Sequence, residues 1–282
     1  MKSTPKKNRD KLDYFSAGKP VHRVSYCAFL DVLGFNDRIS ASYKDGSSDK
    51  LLRSFHQILA RSIAQIREHT DESMLYFKSF TDNVVLAHPQ FSDDMESEFG
   101  SILWDINEYQ FQMALKGFFI RGGLAADQLF MDENSVYGAA LLEAYRLESK
   151  VAVNPIVVLC DNTMKLVDKH LTYYFGEIAP QRRHVLQGPD GRYFLNCLSE
   201  CILEGDDREY LDAKSLRLHK KQVESALKAY AAVPTVFSKF SWLAAYHNFF
   251  CDMVSGYPEY KASLKVSATL AAIQFNPITK KK

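Results

Sequence analysis

The sequence of 282 residues lacks a long apolar run, an excess of charge of either sign, and a high content of Gly or Pro. No window reaches the about 18 consecutive apolar residues of a membrane-spanning helix, and no apolar stretch of signal-peptide length follows the basic N-terminus. Lys and Arg number 35 against 34 Asp and Glu, so the net charge is only +1. We therefore expect a cytoplasmic protein that binds neither nucleic acid nor membrane.

Cysteine is also scarce, and its spacing is irregular. The five cysteines are an odd number and lie mostly within apolar segments, which predicts reduced core thiols rather than a disulfide framework. Cys197 and Cys201 have no second pair in the sequence, so we expect no zinc site.

Hydrophobic residues make up 46% of the chain, enough for one large domain or two small ones. Residues 1–20 combine basic and polar residues with few apolar ones, which predicts a disordered basic arm. Residues 21–204 carry alternating strand and helix patterns and form the predicted main domain. Residues 205–282 contain two amphipathic helical patterns, which predict a helical C-terminal extension packed on the core.

The patterns of the main domain follow the order β-α-β-β-α-β-α-β. The first strand begins near Arg23, and a helix follows from about Asp49. The next two strands are separated only by Thr81 and Asp82, which requires a hairpin. This order predicts an α+β fold with a ferredoxin-like, split β-α-β sheet and helices on one face.

Two acidic residues interrupt otherwise apolar strands. Asp31 lies within CAFLDVLGF, and Asp82 lies in the hairpin KSFTDNVVL. A buried carboxylate is costly unless a partner compensates its charge, and a divalent cation compensates two at once. The predicted sheet places both strands side by side, so the pair predicts a site for Mg²⁺ or Mn²⁺. Two unrelated strand-end residues remain an equal alternative.

Glycine-containing turns mark two further candidate sites. The backbone of Leu33, Gly34 and Phe35 precedes a possible helix and could bind phosphate. Arg121 lies beside the pair Gly122 and Gly123, where a phosphate contact and a structural salt bridge are about equally favoured. Three more cations are candidates for binding a triphosphate, and their spacing ranks none above the others: Lys150, Arg192 and Lys239.

Four segments in the region of residues 23–200 resemble the motifs of class III nucleotide cyclases, in the same order as in that family. They are residues 29–35 (FLDVLGF), similar to Phe-x-Asp-Ile-x-Gly-Phe; residues 78–82 (KSFTD), similar to Lys-x-x-Gly-Asp with Thr81 in place of Gly; residues 120–124 (IRGGL), in the place of the Arg-x-Gly-Ile strand; and residues 136–138 with 144–149 (VYG and AYRLES), similar to Trp-Gly and Ala-x-Arg-x-x-Ser. The resemblance implies that residues 21–204 are a cyclase catalytic domain.

The resemblance also implies a reaction and roles for individual residues. Asp31, Asp82 and the Val32 carbonyl would hold two Mg²⁺ or Mn²⁺ ions. The ribose 3′-oxygen of a nucleoside triphosphate would attack the α-phosphorus, and pyrophosphate would leave. Arg146 matches the arginine that stabilises the transition state, and Lys78 matches the lysine that reads the base.

Two departures from the family pattern bear on the substrate. Ser135 stands where adenylate cyclases have the aspartate that pairs with the base-reading lysine, so adenine loses its charged acceptor. Lys78 can still donate to a uracil carbonyl, which favours UTP, and the Ser135 hydroxyl could accommodate CTP. Leu142 stands where the family has an asparagine, so the ribose or leaving-group contact is in doubt, and Glu143, Asn134 or Asn83 could substitute.

A minimal cyclase core with an Arg-Gly-Gly strand and a helical tail resembles the pyrimidine cyclases of Pycsar anti-phage systems. This implies cyclic UMP or cyclic CMP as a second messenger that signals to a separate cyclic-nucleotide-binding effector. One copy of each motif implies a head-to-tail homodimer with composite sites. The alternatives are an adenylate or guanylate cyclase, and a nucleotide-binding regulatory module that has lost turnover.

Overall fold

A computed structural model describes residues 14–70, 74–174, 179–267 and 273–278. The strands of these residues are β1 (Phe15–Ser16), β2 (Lys19–Pro20), β3 (Arg23–Val32), β4 (Tyr76–Phe80), β5 (Asn83–Pro89), β6 (Ile120–Met131), β7 (Val136–Gly138), β8 (Val157–Leu159), β9 (Val185–Gln187), β10 (Tyr193–Leu195), β11 (Ile202–Glu204), β12 (Glu209–Leu211) and β13 (Asn276–Pro277). The α-helices are α1 (Phe35–Lys44), α2 (Ser48–His69), α3 (Glu96–Ala114), α4 (Ala139–Arg146), α5 (Asp161–His170), α6 (Gln181–His184), α7 (Ala213–Ala229) and α8 (Pro234–Met253).

The central sheet has the strand order β13-β9-β10-β8-β6-β3-β5-β4, and β7 pairs with β6. Within it, β3 runs antiparallel to both β5 and β6, and β4 forms the hairpin with β5. The order β6-β3-β5-β4 is that of a split β-α-β unit, in which the first strand lies between the third and the fourth. The α+β, ferredoxin-like prediction is confirmed.

The alternation of β3 assigns its residues to two hydrophobic cores, because successive side chains of a strand point to opposite faces. Tyr26, Ala28 and Leu30 belong to the core that contains residues of α2, α3 and α5. Cys27 and Phe29 belong to the other core, which contains residues of α4, α7 and α8. Both faces of the sheet are therefore covered by helices.

This double coverage corrects the expectation of helices on one face. The C-terminal helices pack on the sheet: the rings of Phe240 in α8 and Phe119, just before β6, have centroids 5.3 Å apart. Asp212 caps α7, since its side chain accepts hydrogen bonds from the N–H groups of Lys214 and Ser215. The extension thus completes the second core rather than lying on a finished domain.

The predicted domain boundary at residues 204 and 205 falls inside a two-stranded hairpin. β11 ends at Glu204, and β12 pairs with it directly after a short turn, with Glu204 opposite Glu209. The C-terminal region also contains β13, which pairs with β9 at the edge of the central sheet. The described part of residues 205–282 is therefore joined to the main domain by strand pairing as well as by helix packing.

Residues 14–20, the last part of the predicted disordered arm, have a defined structure. Residues 1–13 of the predicted arm lie outside the described residues. Residues 14–20 contain the β1–β2 hairpin, and Tyr14 is fully buried. The Tyr14 hydroxyl lies 2.8 Å from the Ser25 hydroxyl. A buried, hydrogen-bonded aromatic side chain fixes this segment on the core. The sequence did not reveal this, because Tyr14 and Phe15 are the only aromatic residues among the first 20, most of which are polar or charged.

The composition-based expectations for cysteine and membrane association can be compared with the structure. All five cysteines are buried and none forms a disulfide, as predicted. Burial raises the pKa of the Cys197 thiol to about 12, which keeps it protonated. Among the described residues, no helix has the length and apolar character needed to cross a membrane.

Candidate functional site

The two acidic residues of the predicted metal site lie together at one end of the central sheet. Asp31 is the penultimate residue of β3, and Asp82 is in the turn between β4 and β5, where it is 7% exposed. β5 is the direct neighbour of β3, and Leu30 pairs with Val84. The Asp82 carboxyl lies close enough to Asp31 to raise the pKa of Asp31 through hydrogen bonding and through its charge, in addition to the larger effect of burial. The sheet register therefore brings the two carboxyl groups into contact.

Arg121 and Glu148 complete a cluster of charges around this pair. Arg121 is opposite Asp31 in the register of β3 and β6, and its Nε lies 3.3 Å from Asp31 Oδ2. Its Nη2 lies 2.6 Å from Glu148 Oε1. Arg121 thus forms structural ion pairs, one of the two roles that the sequence left open. Glu148 was not predicted, because its contact depends on the π-helical turn Leu147–Val151 that follows α4.

The electrostatics of Asp31 reflect a crowded group of carboxylates. Its pKa is raised to about 7, chiefly by burial. The hydrogen bond to Asp82 and the charges of Asp82 and Glu148 act in the same direction, whereas Arg121 opposes them. A single cation, Arg121, thus faces three acidic side chains, and the excess of negative charge adds to the effect of burial on Asp31.

This donor set fits a divalent metal ion. Carboxylate oxygens are the ligands that Mg²⁺ and Mn²⁺ prefer. Tyr109 of α3 is fully buried. Burial is the main cause that raises its pKa, and the charges of Asp82 and Asp31 raise the pKa further. Its hydroxyl has no hydrogen-bond partner among the described residues. Among the described residues, no group of three or more His, Cys, Asp or Glu side chains is arranged so that it could hold a metal ion. A metal ion held by Asp31 and Asp82 would therefore take its further ligands from backbone or substrate oxygens.

The predicted backbone ligands lie directly after Asp31. Val32 ends β3, and its side chain is buried on the opposite face of the sheet. The Leu33 N–H donates to the carbonyl of Phe119 at 2.8 Å, so this amide is already used and the predicted phosphate contact of Leu33 is corrected. Gly34 has φ +73° and precedes α1, which Phe35 begins. The Phe35 side chain packs in the core, where the centroids of the Phe35 and Phe55 rings are 4.5 Å apart.

The two glycines of the Arg-Gly-Gly strand permit close packing. A Cβ on Gly123 would lie 2.3 Å from the Ala144 carbonyl oxygen and 2.4 Å from Leu147 Cβ. A Cβ on Gly122 would lie 2.6 Å from the backbone carbonyl oxygen of Phe29. Only glycine lets α4 and its π-helical continuation approach β6 this closely, and that approach brings Glu148 to Arg121.

Arg146 lies apart from the carboxylate pair. It ends α4, and its guanidinium binds Glu143 in a bidentate manner, with both N–O distances 2.7 Å. It borders a cleft of about 300 Å³ that Asp161, Arg192 and Tyr193 also line. The Arg146 side chain is 54% exposed. Within the chain, therefore, its charged partner is Glu143, which the sequence analysis considered only as a substitute for the missing asparagine.

The predicted base-reading residues lie near an additional carboxylate. Hydrogen bonds from the N–H groups of Ser135 and Asn134 are the main causes that lower the pKa of the Asp132 carboxyl. The charge of Lys78 in β4 lowers it further, so Lys78 lies close to Asp132. Ser135 Oγ also lies 3.2 Å from Asp132 Oδ1. Asp132 was not predicted, because the family motif points to position 135. The run Asp-Glu-Asn-Ser between two strands could have indicated Asp132, since Asp commonly accepts hydrogen bonds from backbone N–H groups in such turns.

Two positions that differ from the class III motifs, Leu142 and Thr81, are exposed. Leu142 is 69% exposed on α4, one turn before Arg146. Thr81 adopts φ +53° in the β4–β5 turn, the left-handed region that favours glycine. Its hydroxyl donates to the Phe80 carbonyl at 2.6 Å and accepts from Asn83 at 3.1 Å. A strained threonine therefore holds the turn that positions Asp82.

Comparisons with known proteins give matches only among solved structures. No known protein-family profile and no curated protein sequence matches the chain. The monomeric guanylyl cyclase domain of the RhoGC fusion protein from the aquatic fungus Blastocladiella emersonii is similar over 62% of this chain and 95% of that chain, with 15% identity and a TM-score of 0.45. The guanylate cyclase domain of RhGC from Catenaria anguillulae, solved in complex with GTP, covers 62% and 96%, with 15% identity and a TM-score of 0.43. An adenylate/guanylate cyclase/hydrolase from Silicibacter pomeroyi covers 67% and 93%, with 13% identity and a TM-score of 0.38. Likenesses of this degree carry no argument about function, which must rest on the residues of the chain itself.

Proposed function

We propose that the chain is a class III nucleotide cyclase that converts a nucleoside triphosphate, with UTP favoured, into its 3′,5′-cyclic monophosphate and pyrophosphate. The observation that carries the proposal is the contact between Asp31 and Asp82, which the sheet register brings together beside Arg121. Two carboxylates from adjacent strands at one end of a sheet are suited to hold a divalent cation against a triphosphate.

The chemistry assigns a role to each predicted residue. Asp31 and Asp82, with the Val32 carbonyl, would hold Mg²⁺ or Mn²⁺, two ions per site; when bound, such ions favour loss of the 3′-hydroxyl proton and offset phosphate charge. The 3′-oxygen forms a bond to the α-phosphorus as the bond to the pyrophosphate oxygen breaks. The 3′-hydroxyl proton is released to solvent. Arg146 stabilises negative charge that develops on the α-phosphoryl group.

The choice of base depends on Lys78 and its surroundings. Lys78 donates to a carbonyl oxygen of the base, which suits uracil, and the Ser135 hydroxyl provides for cytosine in CTP as the alternative. Asp132 near Lys78 favours a second candidate, a purine cyclase, because it adds the carboxylate acceptor that Ser135 does not supply. Both candidates catalyse the same type of cyclisation, but the first forms a cyclic pyrimidine nucleotide and the second forms a cyclic purine nucleotide.

We further propose a head-to-tail homodimer, which the position of Arg146 supports. Arg146 pairs with Glu143 and borders its own cleft, whereas Asp31 and Asp82 lie at the end of β3. A head-to-tail homodimer would place Arg146 and Lys78 of one copy opposite the carboxylates of the other. The monomer would then be inactive.

The cyclic pyrimidine product would act as a second messenger in anti-phage defence and would signal to a separate effector. This part of the proposal rests only on the resemblance of the motifs and on the helical C-terminal extension. A nucleotide-binding regulatory module without turnover is the remaining alternative, because Leu142 replaces the expected asparagine.

The proposal is tested by incubating the purified full chain with each of ATP, GTP, CTP and UTP in the presence of Mn²⁺, with the products identified by mass spectrometry. We expect cyclic UMP from the wild-type protein and a loss of at least about 100-fold in rate for Asp31→Asn and Asp82→Asn, since each removes a charged metal ligand. A cyclic purine product would select the second candidate. Wild-type rates in either variant would remove the carboxylate pair from the mechanism.

A further inference from the structure

The guanidinium of Arg121 is shared between two carboxylates. Its Nε lies 3.3 Å from Asp31 Oδ2, and its Nη2 lies 2.6 Å from Glu148 Oε1. Nε and Nη2 form one edge of the planar guanidinium, an edge that a single carboxylate can bind with both of its oxygens. Glu148 has the shorter contact and takes Nη2, so Asp31 is left with the longer contact to Nε.

Arg146 shows how the same edge is used when one carboxylate takes it alone. There Nε and Nη2 both bind Glu143, and both N–O distances are 2.7 Å. A bidentate pair of this kind is stronger and more fixed in its geometry than a single contact. Without Glu148, Nη2 of Arg121 would be available to Asp31, and a bidentate pair would engage both oxygens of the Asp31 carboxylate.

The fold fixes the position of Glu148 beside Arg121. Glu148 lies in the π-helical turn Leu147–Val151, and its side chain is only 5% exposed. This turn packs on β6 at Gly123, where a Cβ would lie 2.4 Å from Leu147 Cβ. Arg121 and Gly123 are two positions apart on β6 and therefore lie on the same face of the sheet. A side chain buried beside such close packing has little freedom to move, so the contact between Glu148 and Arg121 is fixed by packing as well as by charge.

We propose that Glu148 is a positioning residue for the metal site: it holds Nη2 of Arg121, prevents a bidentate pair between Arg121 and Asp31, and so keeps a carboxylate oxygen of Asp31 available to a divalent cation. The inference rests on the proposed function in one respect, the metal ion at Asp31 and Asp82. Glu148 acts through Arg121 and not as a metal ligand. Arg121 offsets part of the negative charge of the cluster without displacing the cation from Asp31.

The test is the affinity of the full chain for Mn²⁺ without nucleotide, measured from the electron paramagnetic resonance signal of free Mn²⁺. Glu148→Gln keeps the shape of the side chain and removes its charge. It should weaken Mn²⁺ binding by about 10-fold, the lower end of the usual effect of losing a residue that orients a metal ligand. Glu209→Gln is the matched control, because Glu209 forms an ion pair with Arg183 at the same N–O distance of 2.6 Å, and neither residue belongs to the cluster around Arg121. The control should leave the affinity unchanged.

A double-mutant cycle separates positioning from a simple loss of negative charge. If Glu148 acts through Arg121, Glu148→Gln should change the affinity by about 2-fold or less in a chain that also carries Arg121→Met. If Glu148 acted only through its charge, the loss would be as large with Arg121→Met as without it. Glu148→Asp provides a second comparison, because it keeps the charge and shortens the side chain. It should also weaken Mn²⁺ binding when the contact with Arg121 is what matters.

The outcomes separate this inference from the proposed function. Mn²⁺ binding that depends on Glu148, in a protein that forms no cyclic nucleotide, would overturn the cyclase function and retain the inference. Cyclic product from the wild type, together with unchanged Mn²⁺ affinity in a folded Glu148→Gln protein, would retain the function and overturn the inference. Equal losses with and without Arg121→Met, or absence of Mn²⁺ binding by the wild type, would overturn the inference as well. Circular dichroism and gel filtration verify the fold of each variant.

Discussion

At the scale of single residues, the approach of α4 to β6 depends on the absence of one methyl group. Gly123→Ala would place a Cβ 2.3 Å from the Ala144 carbonyl oxygen, and a backbone atom cannot move aside as a side chain can. We expect the variant to lose about 3 kcal/mol of unfolding free energy, at the upper end of the usual overpacking cost. Urea denaturation followed by circular dichroism measures this loss.

Gly100→Ala provides the matched control for this experiment. Gly100 lies within α3, and a Cβ there would have no heavy atom within 4 Å. Alanine in a helix is favoured over glycine by about 0.5 to 1 kcal/mol, so this variant should be more stable than the wild type. Equal effects of the two substitutions would show that α4 does not press on β6 as described.

The residues differ in how far their roles follow from the sequence. Asp31 and Asp82 could be predicted because each acidic residue stands within or directly beside an apolar strand pattern, and the strand order places the two strands side by side. Glu148 could not be predicted, since its contact with Arg121 requires both the close approach at Gly123 and the π-helical turn. Asp132 lies near Lys78 only because β6 and β7 form a hairpin whose turn returns towards β4.

At the scale of elements, a buried histidine pair joins α7 to α8. The Nδ1 atoms of His219 and His247 are 2.9 Å apart, and His247 Nε2 lies 2.9 Å from the Leu264 carbonyl oxygen. His247 therefore donates through Nε2 and accepts at Nδ1 from the Nδ1–H of His219, which requires the His247 ring to be neutral. Burial lowers the pKa of His247 to about 4 and that of His219 well below its usual value.

This pair predicts a loss of stability in acid. Between pH 6.5 and about 4, the unfolded chain binds a proton at each histidine and the folded chain does not, so the free energy of unfolding decreases as pH falls. Each histidine contributes up to about 1.4 kcal/mol per pH unit. Urea denaturation of the wild type and of His247→Gln between pH 4.5 and 6.5 should give a shallower pH dependence for the variant. Parallel curves would contradict the assignment. The nearby charges of Lys220 and Glu224 are present in both proteins.

The elements that the sequence predicted best are those defined by local periodicity. The apolar spacing after Asp49 gave the position of α2, and the two residues between β4 and β5 required their hairpin. The position of α7 and α8 on the second face of the sheet was missed because it depends on contacts far apart in the chain, such as Phe119 with Phe240. β9 and β13, at one side of the sheet, have only three and two residues. Strands this short cannot show the alternation of apolar and polar residues from which a strand is predicted.

At the scale of the whole molecule, the separation of Arg146 from Asp31 and Asp82 leads to a prediction about how two copies of the chain assemble. If two copies complete each other's sites, a chain with Asp82→Ala and a chain with Arg146→Ala are both inactive as homodimers. A mixed dimer contains one site with Asp82 and Arg146 both intact. Random exchange of equal amounts forms mixed dimers in half of the population, so about a quarter of the wild-type sites should be restored.

The measurement is the rate of cyclic nucleotide formation by each variant alone and by their equimolar mixture, after subunit exchange has been shown with differently tagged chains. Exposed apolar residues on α4 and on the β4–β5 hairpin, Leu142, Tyr145 and Phe80, provide surface for such an assembly. Mixing Asp82→Ala with Asp31→Ala is the control, because both changes affect the same half of the site and no combination restores it. Recovery in the first mixture and not in the second requires that the two halves come from different chains. Exchange without recovery in either mixture would mean that Arg146 acts within its own chain, where Glu143 would have to release it before it could reach the substrate.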